Sequence, residues 1–468
     1  MSRIRSLFAL VLLATPLASL GDEPKAGPLL IEQPRADYVA RRRELMKTLK
    51  ASDTNRNQPG ETIVLLRGED DQGKEDFEEG RFRQHNNFAY LTGVEAPGAW
   101  LLLTPSQDRA TLYLPPRAGY SRMNGENTKP GSGSETAEAL GFDAVEPTSK
   151  LLGDLFTMLA DPMRRGSGGG SSVIFTLTPN PTATDTRPAS TFVKFLKEGA
   201  PNTSFRDIAP MLGEMRKIKT LTEIAILQKA IDITGDAQEE VMKAIRPEIF
   251  EYQLEGKLFG AFLNGGALRA GFASIVGSGP NATIPHYFAN DRKIEDGDMV
   301  VVDIGAEYKM YTADITRTYP ANGKFSPRQR EIYQLVLDAQ TAAFEHTKLN
   351  KTTMGELNGF VREYLRKSPL RAKDTDGKEY TMDHFFIHGL GHYLGMDVHD
   401  VGDYAKPMQV GEVFTIEPGL YIRPENIGVR IEDDYLMTET GPIKMSKNIT
   451  SDVDEIEKKI AAGRVKSH

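Results

Sequence analysis

The last third of the chain carries five side chains of the types that bind divalent metal ions. They are Asp303, Asp314, His392, Glu417 and Glu432. Four are carboxylates, so their convergence would put four negative charges into one small volume. Like charges this close must protonate or separate unless positive charge compensates them. Two divalent ions would supply that charge, which predicts a dinuclear centre with ions about 3.5–4 Å apart and an ionised bridging water.

The spacing of the four carboxylates favours their convergence. Asp303 and Asp314 are eleven positions apart, and the stretch between them predicts two strands joined by a turn near 307–309. Glu417 and Glu432 are fifteen positions apart and are again separated by a strand, turn and strand pattern. Two facing hairpins could therefore deliver one carboxylate per strand.

An isolated Asp or Glu is most often a surface charge. Here Asp303 directly follows the apolar run Met299–Val302, and Glu417 follows the largely apolar run 413–416. A carboxylate that ends a buried strand needs a partner, so the pattern favours a metal site over a solvated surface.

The blocks that contain these residues resemble the signature blocks of the pita-bread metallopeptidases. They read DIGAEY…YTADITRT, HGLGHYLGMDVHD, IEPGLYI and GVRIEDD. Within that creatinase/prolidase-like family they are most similar to aminopeptidase P and its relative prolidase. The resemblance is strong over residues 216–446 and weaker over an N-terminal block, RFRQHNNFAYLTG. It implies an α+β pita-bread domain, in which helices cover a curved antiparallel sheet with the metals on its inner face.

The resemblance also implies a role for each ligand. Asp314 and Glu432 would bridge the two ions, Asp303 would complete one site, and His392 with Glu417 would complete the other. Oxygen-rich ligation with one imidazole suits Mn²⁺, although Co²⁺, Fe²⁺ or Zn²⁺ could bind. Glu417 would accept a proton from the bridging water and pass it to the leaving amine.

Three further histidines, His286, His388 and His399, match family histidines that line the pocket. There they could hydrogen-bond the substrate carbonyl or move protons. His388 and His392 are four positions apart, as in the HExxH zinc motif. Gly389 stands in the place of the catalytic Glu of that motif, and two glycines disfavour a helix, so we reject the zinc-protease interpretation.

Two polar side chains are placed by strand alternation on the same face as a ligand. Arg430 lies two residues before Glu432, and Thr316 lies two residues after Asp314. We therefore expect Arg430 to orient Glu432 and to offset the negative charge of the nucleophile. Tyr421 matches a family tyrosine near the site but could equally be a core residue.

Substrate and reaction follow from the resemblance. An Xaa-Pro bond has no N–H on its nitrogen, and a metal pair that holds the substrate's amine and carbonyl bypasses the missing donor. The resemblance implies release of the N-terminal residue ahead of proline, by attack of a metal-bridging hydroxide, and a homo-oligomer. An Xaa-Pro dipeptidase is the close alternative, and a non-catalytic binding protein on the same fold is a more distant one.

The amino-acid composition narrows the class of protein. The chain has 468 residues, of which 39% are hydrophobic and 26% charged, with a formal net charge of −8. These values are typical of a globular protein and give no reason to expect nucleic acid or an anionic membrane as partner. The basic run Arg41–Arg43 is interpreted as a solvated helix face. No cysteine is present, which excludes a disulfide framework.

The first residues predict a signal peptide, residues 1–21. Arg3 and Arg5 precede an apolar stretch, residues 7–20, which is followed by polar sequence. The stretch is interrupted by Pro16 and is shorter than the roughly 20 residues of a membrane span. We expect export to the periplasm or the medium and no stable span after cleavage, with an uncleaved anchor as the alternative.

The remaining chain is predicted to contain two domains and a tail. Strand patterns at 62–66, 99–104 and 111–114 follow a helix at 37–49 and predict an α/β N-terminal domain, residues 22–215. Residues 216–450 would form the catalytic domain and residues 451–468 a charged tail. Capping-box patterns predict helix starts within the catalytic domain; they are Thr220 with Glu223, Ser326 with Gln329, and Thr353 with Glu356.

Overall fold

The computed structural model describes most of the chain beyond the predicted signal peptide, residues 1–21, which lies outside the described residues. The described ranges are 33–51, 61–70, 82–116, 131–164, 172–177, 188–201 and 203–465. They divide into two compact units, residues 33–213 and residues 214–465. Within these ranges, no helix combines the length and the apolar character needed to cross a lipid bilayer.

The N-terminal unit is the α/β layer that the sequence predicts. Its elements are α1 (Arg35–Ala51), β1 (Thr62–Arg67), α2 (Asn86–Thr92), β2 (Trp100–Thr104), β3 (Arg109–Leu114), α3 (Ser134–Leu140), β4 (Ala144–Pro147), α4 (Leu151–Arg164), β5 (Val173–Thr176), α5 (Pro188–Gly199) and β6 (Ser204–Asp207); α6 (Ala209–Lys217) follows. The strands form one mixed sheet in the order β4-β3-β2-β1-β5-β6. β1 pairs antiparallel with β2 and parallel with β5.

The interpretation of Arg41–Arg43 as a solvated helix face is wrong for two of the three residues. Arg41 and Arg42 are 6% and 2% exposed. Arg42 Nη1 donates to the carbonyl of Leu91 at 2.8 Å, and its guanidinium lies 4.0 Å from the ring centroid of Phe142. These arginines fasten α1 to the rest of the unit, because their donors satisfy main-chain carbonyls that burial removes from water.

The C-terminal unit contains three long helices whose starts agree with the predicted capping boxes. Thr220, Ser326 and Thr353 each accept from the backbone N–H three residues on, and the reciprocal side-chain bond is present in each case. The boxes satisfy main-chain donors that a helix start leaves unpaired. The helices are α7 (Leu221–Ala244), α8 (Glu251–Gly265), α9 (Pro327–His346), α10 (Met354–Lys367) and α11 (Val453–Val465).

The strands of this unit pair antiparallel in several short sheets, as expected for the pita-bread class. They are β7 (Arg269–Ala270), β8 (Ile275–Ser278), β9 (Met299–Ile304), β10 (Ala306–Tyr308), β11 (Tyr311–Thr312), β12 (Ile315–Pro320), β13 (Arg371–Lys373), β14 (Glu379–Thr381), β15 (Val413–Ile416), β16 (Gly419–Ile422), β17 (Ile427–Arg430), β18 (Asp433–Thr438) and β19 (Gly441–Lys444). The sheets have the orders β12-β9-β8, β15-β18-β19, β11-β10-β7, β16-β17 and β13-β14. Their inner positions are apolar and pack beneath the helices in one large core.

Two buried glutamines play the same part in the two halves of this unit. Gln238 of α7 donates to the carbonyls of Val302 and Ile315, at 3.2 and 3.1 Å. Gln340 of α9 donates to the carbonyls of Ile416 and Ile431, at 3.0 and 3.2 Å. Buried carbonyls need a hydrogen-bond donor, and each glutamine supplies one to two main-chain carbonyls on different strand segments. Each half thus uses one helix to brace the two strand segments that carry its carboxylates.

The segment that the sequence sets apart as a charged tail, residues 451–468, is instead part of the fold over its described portion. It forms α11, and Val453, Ile456 and Ile460 are each at most 3% exposed within the core. The spacing of these apolar residues, i, i+3 and i+7, puts them on one helix face.

Candidate metal centre

Four of the five predicted ligands, the carboxylates, lie at or beside strand ends of the C-terminal unit, whereas His392 lies between β14 and β15. Asp303 belongs to β9, where it pairs with Thr316 of β12. Asp314 immediately precedes β12, while Glu417 follows β15 and Glu432 precedes β18. The turn of the first hairpin falls at Lys309–Met310, where both residues have positive φ, one or two positions later than the sequence predicts. Asp314, Glu417 and Glu432 therefore lie where a strand begins or ends, whereas Asp303 lies within a paired strand.

Three of these side chains form a compact group. Ligand atoms of Asp314, His392 and Glu432 all lie within 4.8 Å of one another. His392 Nε2 is 3.3 Å from Asp314 Oδ2, 3.6 Å from Glu417 Oε1 and 3.9 Å from Glu432 Oε1. The convergence inferred from spacing is therefore present in the fold for these four residues, and Asp303 joins them in the lining of the same cavity.

Three carboxylates around this group each have one buried oxygen without the partner that burial demands. Asp303 Oδ1, Asp314 Oδ1 and Glu432 Oε1 are buried, and no hydrogen-bond donor among the described residues reaches them. Burial, followed by neighbouring negative charges, raises the pKa of Asp314 and of Glu432 well above the usual carboxyl range. Burial also raises the pKa of Glu417 to about 7. Oxygens that are buried, acidic and unpaired at one point are what a divalent cation requires, so the donor set fits metal ions.

His392 is held in the tautomer that suits metal binding. Its Nδ1 lies 3.1 Å from the carbonyl oxygen of Tyr393, and a carbonyl can only accept, so the proton is on Nδ1. The lone pair of Nε2 then points at the carboxylate cluster. The backbone N–H of His392 donates to Thr415 Oγ1 at 3.1 Å, which ties the ligand to β15. Orientation of a ligating imidazole through its second nitrogen is common in metal sites.

Arg430 makes a different contact from the one expected. Its Nη2 donates to Asp303 Oδ2 at 2.6 Å, and its Nε donates to Thr316 Oγ1 at 3.1 Å. Thr316 Oγ1 in turn donates to Glu432 Oε2 at 2.8 Å. The guanidinium thus pairs directly with Asp303 and reaches Glu432 through Thr316, so any orientation of Glu432 by Arg430 passes through this hydroxyl. Strand alternation predicts that Arg430 and Glu432 share a face of the sheet, but it does not predict that Asp303 of another strand is the partner of Arg430.

Tyr421 joins Arg430 to one of the three predicted histidines. Its hydroxyl accepts from Arg430 Nη1 at 2.8 Å and lies 2.9 Å from His388 Nε2. His388 Nδ1 donates to the carbonyl of Gly389 at 2.7 Å, so Nε2 accepts from the tyrosine. Burial, with the charge of Arg430, lowers the pKa of His388 to about 3, and the ring is neutral. Its Nδ1 lies 3.8 Å from Glu417 Oε2. Because both ring nitrogens already have hydrogen-bond partners, His388 has no N–H left to donate to a substrate.

The other two histidines are exposed in the same cavity, which has a volume of about 790 Å³. The ring of His399 lies 4.2 Å from that of His392, measured between centroids. Burial, followed by the neighbouring His392, lowers the pKa of His399. The ring of His286 stacks at 6.0 Å on that of Phe288. The structure thus brings together all the histidines that sequence reasoning selected.

Sequence reasoning missed the residue that holds the segment of His286. Glu251 is fully buried at the start of α8, and its Oε1 accepts from both the N–H and the hydroxyl of Ser278, each at 2.7 Å. Its Oε2 accepts from Tyr287 Oη and from the N–H of Arg292, each at 2.8 Å. A lone Glu at a helix start reads as an ordinary first-turn acid, and nothing local in the sequence indicates this role.

A second missed residue, Asp434, lies behind Asp314, one of the predicted ligands. Its Oδ2 accepts from the backbone N–H of Asp314 at 3.2 Å, and burial raises its pKa well above the usual range. The sequence does contain an indication of this role, since Asp433 and Asp434 directly follow Glu432 and form a run of three acids. Three successive acids on a strand cannot all face one side, so at least one must be buried against the opposite face.

Both units match known protein families. Residues 225–439 match the family described as Metallopeptidase family M24. Residues 38–164 match the family described as Aminopeptidase P, N-terminal domain. The first match spans all five carboxylate and imidazole ligands proposed from sequence, and the second lies within the N-terminal unit.

Individual relatives cover nearly the whole chain. The Xaa-Pro aminopeptidase of Escherichia coli is 33% identical over an alignment of 460 positions, which covers 92% of this chain and 98% of that protein. A solved structure of Escherichia coli aminopeptidase P in complex with substrate has a TM-score of 0.77 at 32% identity, covering 92% of this chain and 99% of that one. A proline aminopeptidase from Yersinia pestis has a TM-score of 0.76 at 31% identity, covering 92% and 100%.

Proposed function

The chain belongs to the aminopeptidase P group of metallopeptidase family M24, and from this premise we propose how its residues divide the work. The protein is a metallo-aminopeptidase that releases the N-terminal residue from peptides with proline in second position. The observation that carries the proposal is the cluster of Asp314, His392 and Glu432, with its buried, unpaired carboxylate oxygens.

Family membership implies divalent metal ions, and we propose two per chain. Asp303, Asp314, His392, Glu417 and Glu432 would hold them. Four carboxylates against two dications balance in charge, and the single imidazole among oxygen donors favours Mn²⁺, with Co²⁺, Fe²⁺ and Zn²⁺ as alternatives. When bound, such ions acidify water and polarise the scissile carbonyl.

The protein's own side chains supply proton transfer and orientation. We propose that Glu417 accepts the proton of the attacking water and delivers it to the leaving proline nitrogen. A carboxylate beside the attacking water is a suitable proton acceptor and donor for these two steps. His286 and His399, exposed in the cavity, would hold the substrate carbonyl. Arg430 fixes Asp303, and Tyr421 fixes His388 beside Glu417.

A specific feature of the cavity favours longer peptides over dipeptides. A dipeptidase must bind the free carboxylate of its substrate, which calls for a cation. Among the described residues that line this cavity, Arg430 is the one arginine or lysine. Its three nitrogens donate to Asp303, Thr316 and Tyr421, so the guanidinium is already committed.

An Xaa-Pro dipeptidase remains the second candidate because of a partial match. The Xaa-Pro dipeptidase of Pyrococcus furiosus is 37% identical over 259 residues, which are 54% of this chain and 70% of that protein. The two candidates differ in the length of the peptide that they accept.

The experiment compares an Xaa-Pro-Yaa tripeptide with the matching Xaa-Pro dipeptide. The purified protein is chelated, reloaded with one metal at a time, and assayed for turnover and for metal content. We expect tripeptide turnover that disappears on chelation and returns with Mn²⁺, with two ions per chain. Turnover of the dipeptide alone would establish a dipeptidase, and folded protein that holds no stoichiometric metal would support the binding-protein alternative.

We also propose that the chain is exported and that it forms a homo-oligomer. Export is supported by Arg3 and Arg5 ahead of the apolar stretch 7–20, and by the small residues Ser19 and Gly21 before a polar sequence. N-terminal sequencing of the protein from cell fractions tests cleavage before Asp22. Sedimentation velocity tests the oligomer.

A further inference from the structure

The loop that carries His399 is closed on itself directly after the ligand His392. The backbone N–H of Asp400 donates to the carbonyl of Tyr393 at 2.8 Å, which folds the intervening residues into a tight loop. Gly395 lies inside it, and a Cβ on this glycine would come within 2.0 Å of Asp400 Oδ2. The loop therefore packs directly against the carboxylate of Asp400, the residue that follows His399.

The carboxylate of Asp400 is buried between two cations that lie far away in the sequence. Arg216 Nη2 donates to Asp400 Oδ1 at 2.5 Å, and Lys219 Nζ donates to Asp400 Oδ2 at 3.2 Å. The side chains of Asp400 and Lys219 are 1% exposed, and that of Arg216 is 4% exposed. Arg216 also pairs at 2.6 Å with Asp397, whose side chain is 50% exposed.

A cluster of buried ions is a costly way to stabilise a loop. Each buried ion costs several kcal/mol of desolvation, and apolar residues of similar size often stabilise a fold equally well. Such a cluster does fix one arrangement of two chain segments, because any displacement leaves a buried charge unpaired. Here one segment is itself anchored, since the N–H of Lys219 donates to the carbonyl of Gly411 at 2.9 Å. The other segment is the His399 loop.

We propose that the cluster of Arg216, Asp400 and Lys219 is a positioning device for His399, which holds this imidazole against His392 at the metal centre. None of the three cluster residues lines the cavity. They act through the loop, so they are positioning residues and not catalytic ones. The inference rests on the role proposed above for His399.

The test is a double-mutant cycle between Asp400→Asn and His399→Ala, read as kcat/KM on an Xaa-Pro-Yaa tripeptide with metal content measured in parallel. Loss of a supporting partner of an active-site group typically costs about 10–100-fold in activity. We expect Asp400→Asn to lower kcat/KM by that factor at unchanged metal content, and to have an effect below twofold when His399 is already Ala. Asp397→Asn is the matched control, since it removes the exposed partner of the same arginine, and it should stay close to wild type.

Hydrogen exchange on the purified protein gives a readout that does not depend on activity. Exchange of the peptide spanning residues 393–403 should accelerate in Asp400→Asn and in Lys219→Met, but not in Asp397→Asn. Lys219→Met retains the pair between Arg216 and Asp400, so it serves if Asp400→Asn fails to fold. Full additivity in the cycle, or unchanged exchange in folded variants, would overturn the inference. Wild-type activity of His399→Ala alone would instead refute the proposed role of His399, and the inference with it.

Discussion

The hydroxyl of Thr316 donates a hydrogen bond of 2.8 Å to Glu432 Oε2. Thr316 Oγ1 also accepts from Arg430 Nε at 3.1 Å. This hydroxyl therefore links the buried guanidinium of Arg430 to the carboxylate of Glu432. Thr316 is fully buried, and water cannot take its place. The orientation of Glu432 therefore depends on a residue that binds no metal itself.

Thr316→Val keeps the shape of the side chain and removes the hydroxyl. Glu432 and Arg430 would each lose a buried partner, so the free energy of unfolding should fall by about 1–3 kcal/mol. Affinity for Mn²⁺ should fall by about 10–100-fold, as for other groups that orient a ligand. Denaturant unfolding and calorimetric titration with Mn²⁺ measure the two effects. Thr316→Ser retains the hydroxyl and should bind Mn²⁺ almost as wild type does; equal weakening by Ser and Val would contradict the relay.

Glu417 should make the chelated protein less stable as the pH rises. Its folded pKa is raised from 4.5 to about 7, chiefly by burial. Between these values the folded chain binds a proton that the unfolded chain has released, so stability falls through this window and is flat above it. Glu417→Gln has no such titration.

The measurement is the free energy of unfolding of chelated Glu417→Gln minus that of chelated wild type, across pH 4.5 to 7. Groups outside the carboxylate cluster titrate alike in both proteins, so the difference reports the loss of the Glu417 charge from the cluster, and it should rise by about 3 kcal/mol. The metal-loaded variant should also lose about 10²–10⁴-fold in kcat, as expected when a general base is removed. A stability difference that is independent of pH would show that this carboxyl is already ionised in the folded, chelated chain.

Arg317 supports the metal site from its buried side. Its Nη2 donates to Asp433 Oδ1 at 2.6 Å, and its Nη1 donates to the carbonyl of Glu432 at 2.7 Å. Both side chains of the pair are fully buried. Asp433 would keep Lys444, whose Nζ lies 2.7 Å from Asp433 Oδ2, but it would lose its buried cation. Arg317→Met would also leave the buried carbonyls of Glu432 and Ile449 without this donor, so we expect a loss of about 3–5 kcal/mol in the free energy of unfolding.

Arg330→Met is the matched control for this variant. Its guanidinium is 41% exposed and pairs with Asp454 at 2.7 Å and with Glu457 at 3.2 Å. Glu457 would keep Lys324 at 2.7 Å, so this variant leaves no buried charge unpaired. A solvated pair of this kind contributes about 0–1 kcal/mol. Urea unfolding measures the free energy of unfolding of both variants. Equal decreases would mean that burial does not make the Arg317–Asp433 pair more stabilising than an exposed pair.

The sequence predicted what depends on local chemistry. The helix starts at Thr220, Ser326 and Thr353 came from capping pairs three residues apart, and both members of each pair sit in one turn. Asp303 and Glu417 were singled out because a carboxylate is rare directly after an apolar run, and the predicted set of five ligands came from the resemblance of short sequence blocks to those of a family. Neither prediction needed a contact between distant parts of the chain.

The contacts that the sequence did not reveal join residues that are far apart along the chain. Arg42 bonds the carbonyl of Leu91, 49 positions away, and Arg216 bonds Asp400, 184 positions away. A basic residue on a helix has the same local pattern whether its partner is water or a buried acceptor. Burial of these cations therefore became visible only in the fold.

Gly391 controls how close the segment of His392 can approach β15. A Cβ at this position would lie 2.2 Å from the carbonyl oxygen of Thr415, a backbone atom that cannot move aside cheaply. The N–H of Thr415 donates to the carbonyl of His392 at 2.8 Å, so the two segments are already at hydrogen-bonding distance. Gly391→Ala should separate them and displace His392, with a loss of about 1–3 kcal/mol in the free energy of unfolding.

Gly389→Ala tests whether the effect of Gly391→Ala is steric. No atom lies within 4 Å of a Cβ built on Gly389, two residues earlier in the same segment. Both substitutions lower the entropy of the unfolded chain equally, so their difference reports on the folded state. We expect Gly391→Ala to weaken Mn²⁺ binding at least about tenfold, by displacing an oriented ligand, and Gly389→Ala to bind Mn²⁺ as wild type does. If calorimetric titration gave both variants the same affinity, close approach of this backbone would not be what places the imidazole.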